Sequence, residues 1–270
     1  MRRLIKTTQH IVQQNDQLPF SVYTSFKEQH IFNVPVIKPL LIFVLSGCKK
    51  LGLKKQITCQ NGSFVFLSNS PKVNMRNITD GEAYFAILIE FDFEDFDCFE
   101  QHSIKTEKYF QGPIDTVLEK TLLQFVEWSS FSPPDIWALR RREILQLLFL
   151  QGYEQVTSIM ESPTLSHRLH SIFTANLTND ISAGALSSML AMSESTLRRK
   201  LRAEGNSLQE IKDRARLSHG LHLVQTSLDP IGRIAEHCGY LSQSRFTRRF
   251  KQLFGITPTE LRKTRLLDSR

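Results

Sequence analysis

Two segments of this chain repeat one design, and that repetition narrows the folds open to it more than any other feature. Each has a short apolar stretch, a turn, a serine able to cap a helix, and then a helix with apolar residues on one side and arginines on the other. In the first, Leu186 and Leu190 precede the turn Ala191-Met192, Ser193 stands at the cap, and Leu197 and Leu201 lie one helical turn apart. That spacing leaves Ser195, Arg198, Arg199 and Arg202 on the outer side. In the second, Ile231, Ile234 and Ala235 precede Gly239-Tyr240-Leu241, Ser242 caps, and Phe246, Phe250, Leu253 and Phe254 recur at helical spacing. Gln243, Ser244, Arg245, Arg248 and Arg249 then face outward, with Lys251 placed to meet a phosphate. One such helix is usually a solvated face; two built alike point to a shared task.

The segment between them, Ser207 to Thr226, reads as one longer helix with Leu208, Ile211, Ala215, Leu217, Leu221 and Val224 as its core positions. A continuous helix is stiff, so it is expected to hold the two arginine-bearing helices at a fixed separation; if that separation matches one turn of B-DNA, both can enter successive major grooves. Helix ends nearby are sharply marked. Asp229-Pro230 offers a cap followed by proline, Thr257 and Glu260 form a capping box, and Gly205 and Gly255 suit left-handed C-terminal caps.

Charge follows the same division. The chain carries 34 Lys+Arg against 27 Asp+Glu, a net +7, and residues 166–270 hold 17 of the former against 9 of the latter. The excess positive charge therefore lies beyond the stretch Ser162-Pro163-Thr164, which reads as a linker between residues 1–162 and 166–270. A basic part joined to a near-neutral one predicts a polyanionic partner, either nucleic acid or an anionic membrane surface. Composition leaves that choice open; a membrane binder, though, would have no use for tight caps and repeated turns.

The residues from Ile231-Gly232-Arg233-Ile234-Ala235-Glu236-His237-Cys238-Gly239-Tyr240 through Phe250-Lys251-Gln252-Leu253-Phe254-Gly255-Ile256-Thr257-Pro258 to Arg262 resemble the signature of the AraC/XylS transcription activators. Met192 to Leu201 resembles the first unit of that family. The likeness covers about residues 166–266. It implies an all-α domain of seven helices with two helix-turn-helix units, which binds double-stranded DNA at an asymmetric promoter site and helps to recruit RNA polymerase as an activator. By position, Ser195, Arg199, Gln243, Ser244 and Arg248 fall where family members touch bases. Arg245 departs from the pattern, since an aromatic residue or His is common there. Ala191 replaces the usual turn glycine; this asks little so long as the turn avoids positive φ.

Residues 18–91 read as short strands separated by turns. Apolar runs at Pro39–Leu45, Ser63–Leu67 and Ala83–Phe91 and the turn signals Asn61-Gly62 and Asp80-Gly81 predict a small antiparallel sandwich or barrel. Two amphipathic helices follow, at 114–128 and 135–150, whose leftover apolar stripe could pair with a second copy of the chain as a homodimer. This half loosely resembles the family's cupin-like effector and dimerisation domain. The whole is thus expected to be α+β, with an N-terminal cupin-like β-barrel or jelly roll ahead of the helical domain.

Phe20, Tyr23, Phe26, Phe43, Phe64, Phe66 and Phe85 could line an apolar pocket for a small-molecule effector, with Lys27 or Lys38 holding an anionic head group, or they could simply be the barrel core. A metal-dependent enzyme is the rival reading. His30 is isolated among the strands, His10 and His102 lie far from it, and no H-x-H or H-E-x-x-H spacing is present, so no metal, cofactor or catalytic residue is expected. His219 and His222 are neighbours on one helix face, where packing roles are expected. Cys48, Cys59, Cys98 and Cys238 show no paired spacing and read as reduced thiols. Thr7, Gln9, Gln13 and Gln14 break any apolar leader, and no run of about 18 apolar residues occurs, so a cytoplasmic protein is expected.

Overall fold

The computed structural model describes residues 1–15, 17–52, 57–69, 72–99, 108–159 and 164–265. Ser162, Pro163 and His102 lie outside them. The chain divides into two compact units, Met1–Glu161 with Thr264–Arg270, and Ser162–Lys263.

The first unit begins with α1 (Arg2–Gln14), an amphipathic helix that buries Leu4, Thr8 and Ile11 against the later helix α2 (Thr116–Ser129). Among the described residues nine strands lie between: β1 (Ser21–Ser25), β2 (Gln29–Val34), β3 (Leu40–Ser46), β4 (Cys48–Leu51), β5 (Ile57–Cys59), β6 (Ser63–Leu67), β7 (Val73–Ile78), β8 (Tyr84–Glu90) and β9 (Tyr109–Pro113). They form two antiparallel sheets, ordered β1-β8-β3-β6-β9 and β2-β7-β4-β5. Of the two forms expected, barrel and two-sheet sandwich, the open sandwich is found, because among the described strands none is hydrogen-bonded to the other sheet.

The apolar runs explain this layering. Along β3, Leu41, Phe43 and Leu45 join a core with α1, α2 and α3 (Trp137–Leu150), while Leu40, Ile42 and Val44 join a second core facing β4, β5 and β7. β6 and β8 alternate in the same way. A strand buried on both faces has no polar side to show, so its sequence reads as an unbroken apolar run. Each large side chain so buried contributes about 1.5–3 kcal/mol. Of the pocket candidates, Phe20, Phe43, Phe64, Phe66 and Phe85 are packed in the helix-facing core, Tyr23 packs on the inter-sheet core, and Phe26 is exposed. Among the periodic residues of α2 and α3, Val117 and Leu139 are left exposed, as is Leu150 at the end of α3.

One charge is sealed between the sheets. Lys49 is 1% exposed; its Nζ donates to Asn77 Oδ1 at 2.7 Å and lies 5.6 Å from the centre of the Tyr84 ring. Asn77 in turn donates to Gln29 Oε1 at 2.7 Å. Burial pulls the Lys49 ammonium down to a pKa of about 8. Elsewhere Arg141 of α3 grips Asp95 and Asp92 at 2.6 Å each, and Lys38 pairs with Asp92 at 2.5 Å. These pairs fasten α3 to the turn that follows β8.

The second unit holds seven helices among the described residues: α4 (Leu165–Ala175), α5 (Ala183–Met189), α6 (Glu194–Ala203), α7 (Leu208–Thr226), α8 (Ile231–His237), α9 (Gln243–Phe254) and α10 (Pro258–Lys263). Their ends are where the capping residues stand. Ser182, Ser193, Ser207 and Ser242 each accept from a first-turn backbone N–H, and Thr257 and Glu260 close a capping box before α10. Asp229 does not cap α8: the cap position falls on Pro230, whose carbonyl accepts from Ile234 N at 3.1 Å.

The α5–α6 and α8–α9 turns are built alike. Met192 N donates to Ser187 O at 3.0 Å and Tyr240 N to Ala235 O at 2.9 Å, each bond reaching back over a left-handed residue. That residue is Gly239 at φ +73° in the second turn and Ala191 at φ +50° in the first. The expectation that Ala191 is nearly cost-free is thus overturned, because the turn demands the one conformation its Cβ resists.

Two outcomes follow. Ala191→Gly should raise stability by about 1 kcal/mol, read as a higher urea midpoint at unchanged slope, since relief of a left-handed alanine outweighs the added freedom of the unfolded chain. For Lys49, the folded pKa lies below the unfolded one, so the cost of burying its charge is full below pH 8 and fades as pH rises toward 10.5. Wild type should therefore gain up to about 3 kcal/mol on Lys49→Met across that window; a pH-independent difference would contradict a charged Lys49.

Candidate nucleic-acid interface

The outer residues of α6 and α9 are laid down by the burial of the opposite stripes. Leu197 and Leu201 fix α6 inward, and Phe246, Phe250 and Phe254 fix α9, the last two with ring centres 4.7 Å apart. As a result Ser195, Arg198, Arg199 and Arg202 on α6, and Gln243, Ser244, Arg245, Arg248 and Lys251 on α9, are all exposed. Ser193 orders the start of α6, with its hydroxyl 2.9 Å from Ser195 Oγ and accepting from Thr196 N at 3.2 Å. Arg198 makes an exposed pair with Glu194 at 3.8 Å. Arg199, Arg202, Arg245, Arg248 and Lys251 have no ion pair among the described residues. Five guanidinium or ammonium groups are thereby held outward with their donors uncommitted.

Arg249 behaves differently from its neighbours. Expected on the outer face, it is half-buried: its Nη2 pairs with Asp213 on α7, and its Nη1 donates to Gln252 Oε1 at 3.1 Å. It fastens α9 to the protein.

Both helix-turn-helix motifs are built onto α7. Its first half supplies Ile211 and Ala215 to a core with Leu165, Leu169 and Phe173 of α4, Leu186 of α5, and Leu197 and Leu201 of α6. Its second half carries Gly220, where a Cβ would fall 2.7 Å from the Phe246 ring and 3.2 Å from Cys238 Sγ. Only a residue without a side chain lets α9 come so near.

Arg216, between these halves, reaches both units. Its Nε donates to Leu177 O, in the segment after α4, at 3.0 Å. The same guanidinium lies against Gly239, where a Cβ would stand 2.4 Å from Leu177 O and 2.9 Å from Arg216 Nη2. Sequence reasoning passed over Arg216 and Asp213; the available signal was a charged residue flanked by the core positions Ala215 and Leu217. His170 and His222 supply no charge here. Burial above all holds His170 and His222 down to about 4, with Arg214 acting further on the former and His219 on the latter. The two effector candidates sit on different loops, Lys38 paired with Asp92 and Lys27 exposed. Among the described residues no helix is long and apolar enough to cross a membrane.

Residues 186–264 match a family described as "Helix-turn-helix domain". The HTH-type transcriptional regulator GadX of Escherichia coli O6:H1 is 31% identical over 127 residues, covering 45% of this chain and 46% of GadX. The transcriptional regulator SirC of Salmonella typhimurium is 34% identical over 101 residues, 37% of this chain and 34% of SirC. This chain thus spans about half, or less, of the length of these curated relatives. Crystal structures of ToxT from Vibrio cholerae share the fold: an apo form gives a TM-score of 0.69 at 15% identity, covering 93% of this chain and 100% of that one. A fatty-acid-bound form gives 0.63 at 16%, covering 93% and 96%. The paired caps, the left-handed turns and these likenesses together show that residues 186–264 carry a helix-turn-helix domain similar to those of bacterial transcription regulators.

Proposed function

We propose that the chain is a sequence-specific DNA-binding transcription regulator, in which α6 and α9 enter the major groove of a promoter. The observation that carries this is the pair of cap-anchored helices whose outer faces hold arginine, glutamine and serine donors free of intramolecular ion pairs, apart from the exposed Arg198–Glu194 pair. Arginine's planar fork meets guanine O6 and N7 together, and glutamine can do the same for adenine. Ser195, Arg199, Gln243, Ser244 and Arg248 are the base-reading set; Arg198, Arg202, Arg245 and Lys251 add phosphate contacts or local base preference. The family resemblance adds that the bound chain acts beside RNA polymerase as an activator.

A second element of the reading is control by a small acidic effector in the first unit. ToxT has been crystallised with an unsaturated fatty acid and with a naphthalenyl-butenoic acid. In this chain the inter-sheet core holds Lys49 with one neutral acceptor, and the hydroxyls of Tyr84 and Ser25, cross-strand partners of each other, are buried without a hydrogen-bond partner. An acid group there would neutralise the buried ammonium and could satisfy both hydroxyls.

Arg248→Ala should lose about 1–3 kcal/mol on the preferred duplex and flatten discrimination at one base pair, whereas Lys251→Ala should weaken all duplexes alike and shallow the salt dependence. Titration of both variants against matched and mismatched duplexes measures this, and equal losses on every duplex for Arg248→Ala would reject its reading role. For the effector, an unsaturated fatty acid at about 100 times its dissociation constant should stabilise wild type by about 2.7 kcal/mol and Lys49→Met far less. Thermal melting of the full chain decides it, a wild-type melting temperature unmoved by the acid counting against the site.

A further inference from the structure

Two recognition helices joined by a single helix need not keep a fixed separation. α7 has 19 residues and is about 28 Å long. Each helix-turn-helix motif packs on one stretch of that helix, so the helix alone does not tie one motif to the other. One base pair carries about a tenth of a turn of duplex, so a small tilt of one motif suffices to follow a target that is one base pair too long or too short.

The structure places a second connection beside that helix. Arg216 leaves α7 near its middle and donates from Nε to Leu177 O at 3.0 Å, in the segment following α4, which shares the core of the first unit. Its Nη2 and Cζ lie 2.9 and 3.0 Å from where a Cβ would stand on Gly239, the left-handed residue of the second unit's turn. Leu177 O lies 2.4 Å from that same point. One planar side chain is thus wedged between the backbones of the two units, at a spot that admits glycine alone. Lys212 paired with Asp180, and Arg249 with Asp213, fasten α7 about one turn before Arg216 to the segment preceding α5 and to α9.

We infer that Arg216 is a positioning residue that sets the spacing between the two half-sites the protein accepts on DNA, and that its loss relaxes spacing without changing the bases preferred within each half-site. This rests on the DNA-binding reading above. A residue acting on stability alone would lower affinity equally at every spacing.

The test is selection from a random duplex library by the full chain, as wild type, Arg216→Ala and Arg216→Lys, followed by titration on the selected site with one base pair inserted between its halves. Wild type should enrich two half-sites at one spacing and lose about tenfold on the insertion, the loss expected when one contact is misplaced. Arg216→Ala should enrich the same half-sites at two or more spacings and lose less than about threefold. Arg216→Lys, whose ammonium can still donate to Leu177 O, should return toward the single spacing. If Arg216→Ala fails to give a cooperative melt, Arg216→Met keeps the packing of the stem without the donor and is read in the same way. Arg216→Ala or Arg216→Met holding the single spacing overturns the inference. Wild type enriching its half-sites at several spacings also overturns it and leaves DNA binding intact; wild type enriching no motif defeats both.

Discussion

The second unit depends on one shared helix. α7 gives Ile211 and Ala215 to the core beneath α6, and Gly220 to the close approach of α9. A motif as short as either has little apolar surface to bury by itself. Each borrows a face of α7, so the two fold around a common element. The arginines on the outer faces follow as a consequence: once Leu197, Leu201, Phe246 and Phe250 are buried, helical geometry sends Arg199 and Arg248 outward.

The first unit is organised by a different constraint, the burial of β3, β6 and β8 on both faces. Helices cover one side of the larger sheet and the smaller sheet covers the other. That leaves little room for polar groups, which makes Lys49 and its neighbours conspicuous. An ammonium held by one amide oxygen over the ring of Tyr84, whose own buried hydroxyl has no partner, is a costly arrangement for a packed core. Its cost is the physical ground for the proposal of an acidic ligand, and it lies apart from the Lys38–Asp92–Arg141 cluster, whose charges are already paired.

Much of this was legible in the residues themselves. The serine caps, the Thr257–Glu260 box, the glycines at 205, 239 and 255, and the apolar stripes are local signals, set by interactions within four or five positions along the chain. Local signals survive without tertiary context, which is why α6, α7, α9 and α10 and, Arg249 apart, the outward-facing set on α6 and α9 are legible in the residues, whereas the count of seven helices rests on the family resemblance. The helix α1 was missed because interspersed glutamines and threonines masked a stripe made of Leu4, Thr8 and Ile11.

What tertiary structure alone decided concerns groups far apart in sequence. Whether the strands close into a barrel depends on pairing between distant edges, and here the sheets stay open. Ala191 takes a positive φ because the hydrogen bonds of the turn outweigh its intrinsic preference. Arg249 turns inward to Asp213 and Arg216 wedges between Leu177 and Gly239, although both look on paper like any other surface arginine. Periodicity tells which side of a helix a residue occupies, since that follows from 3.6 residues per turn; which partner waits on that side is set by long-range packing, and no local pattern encodes it.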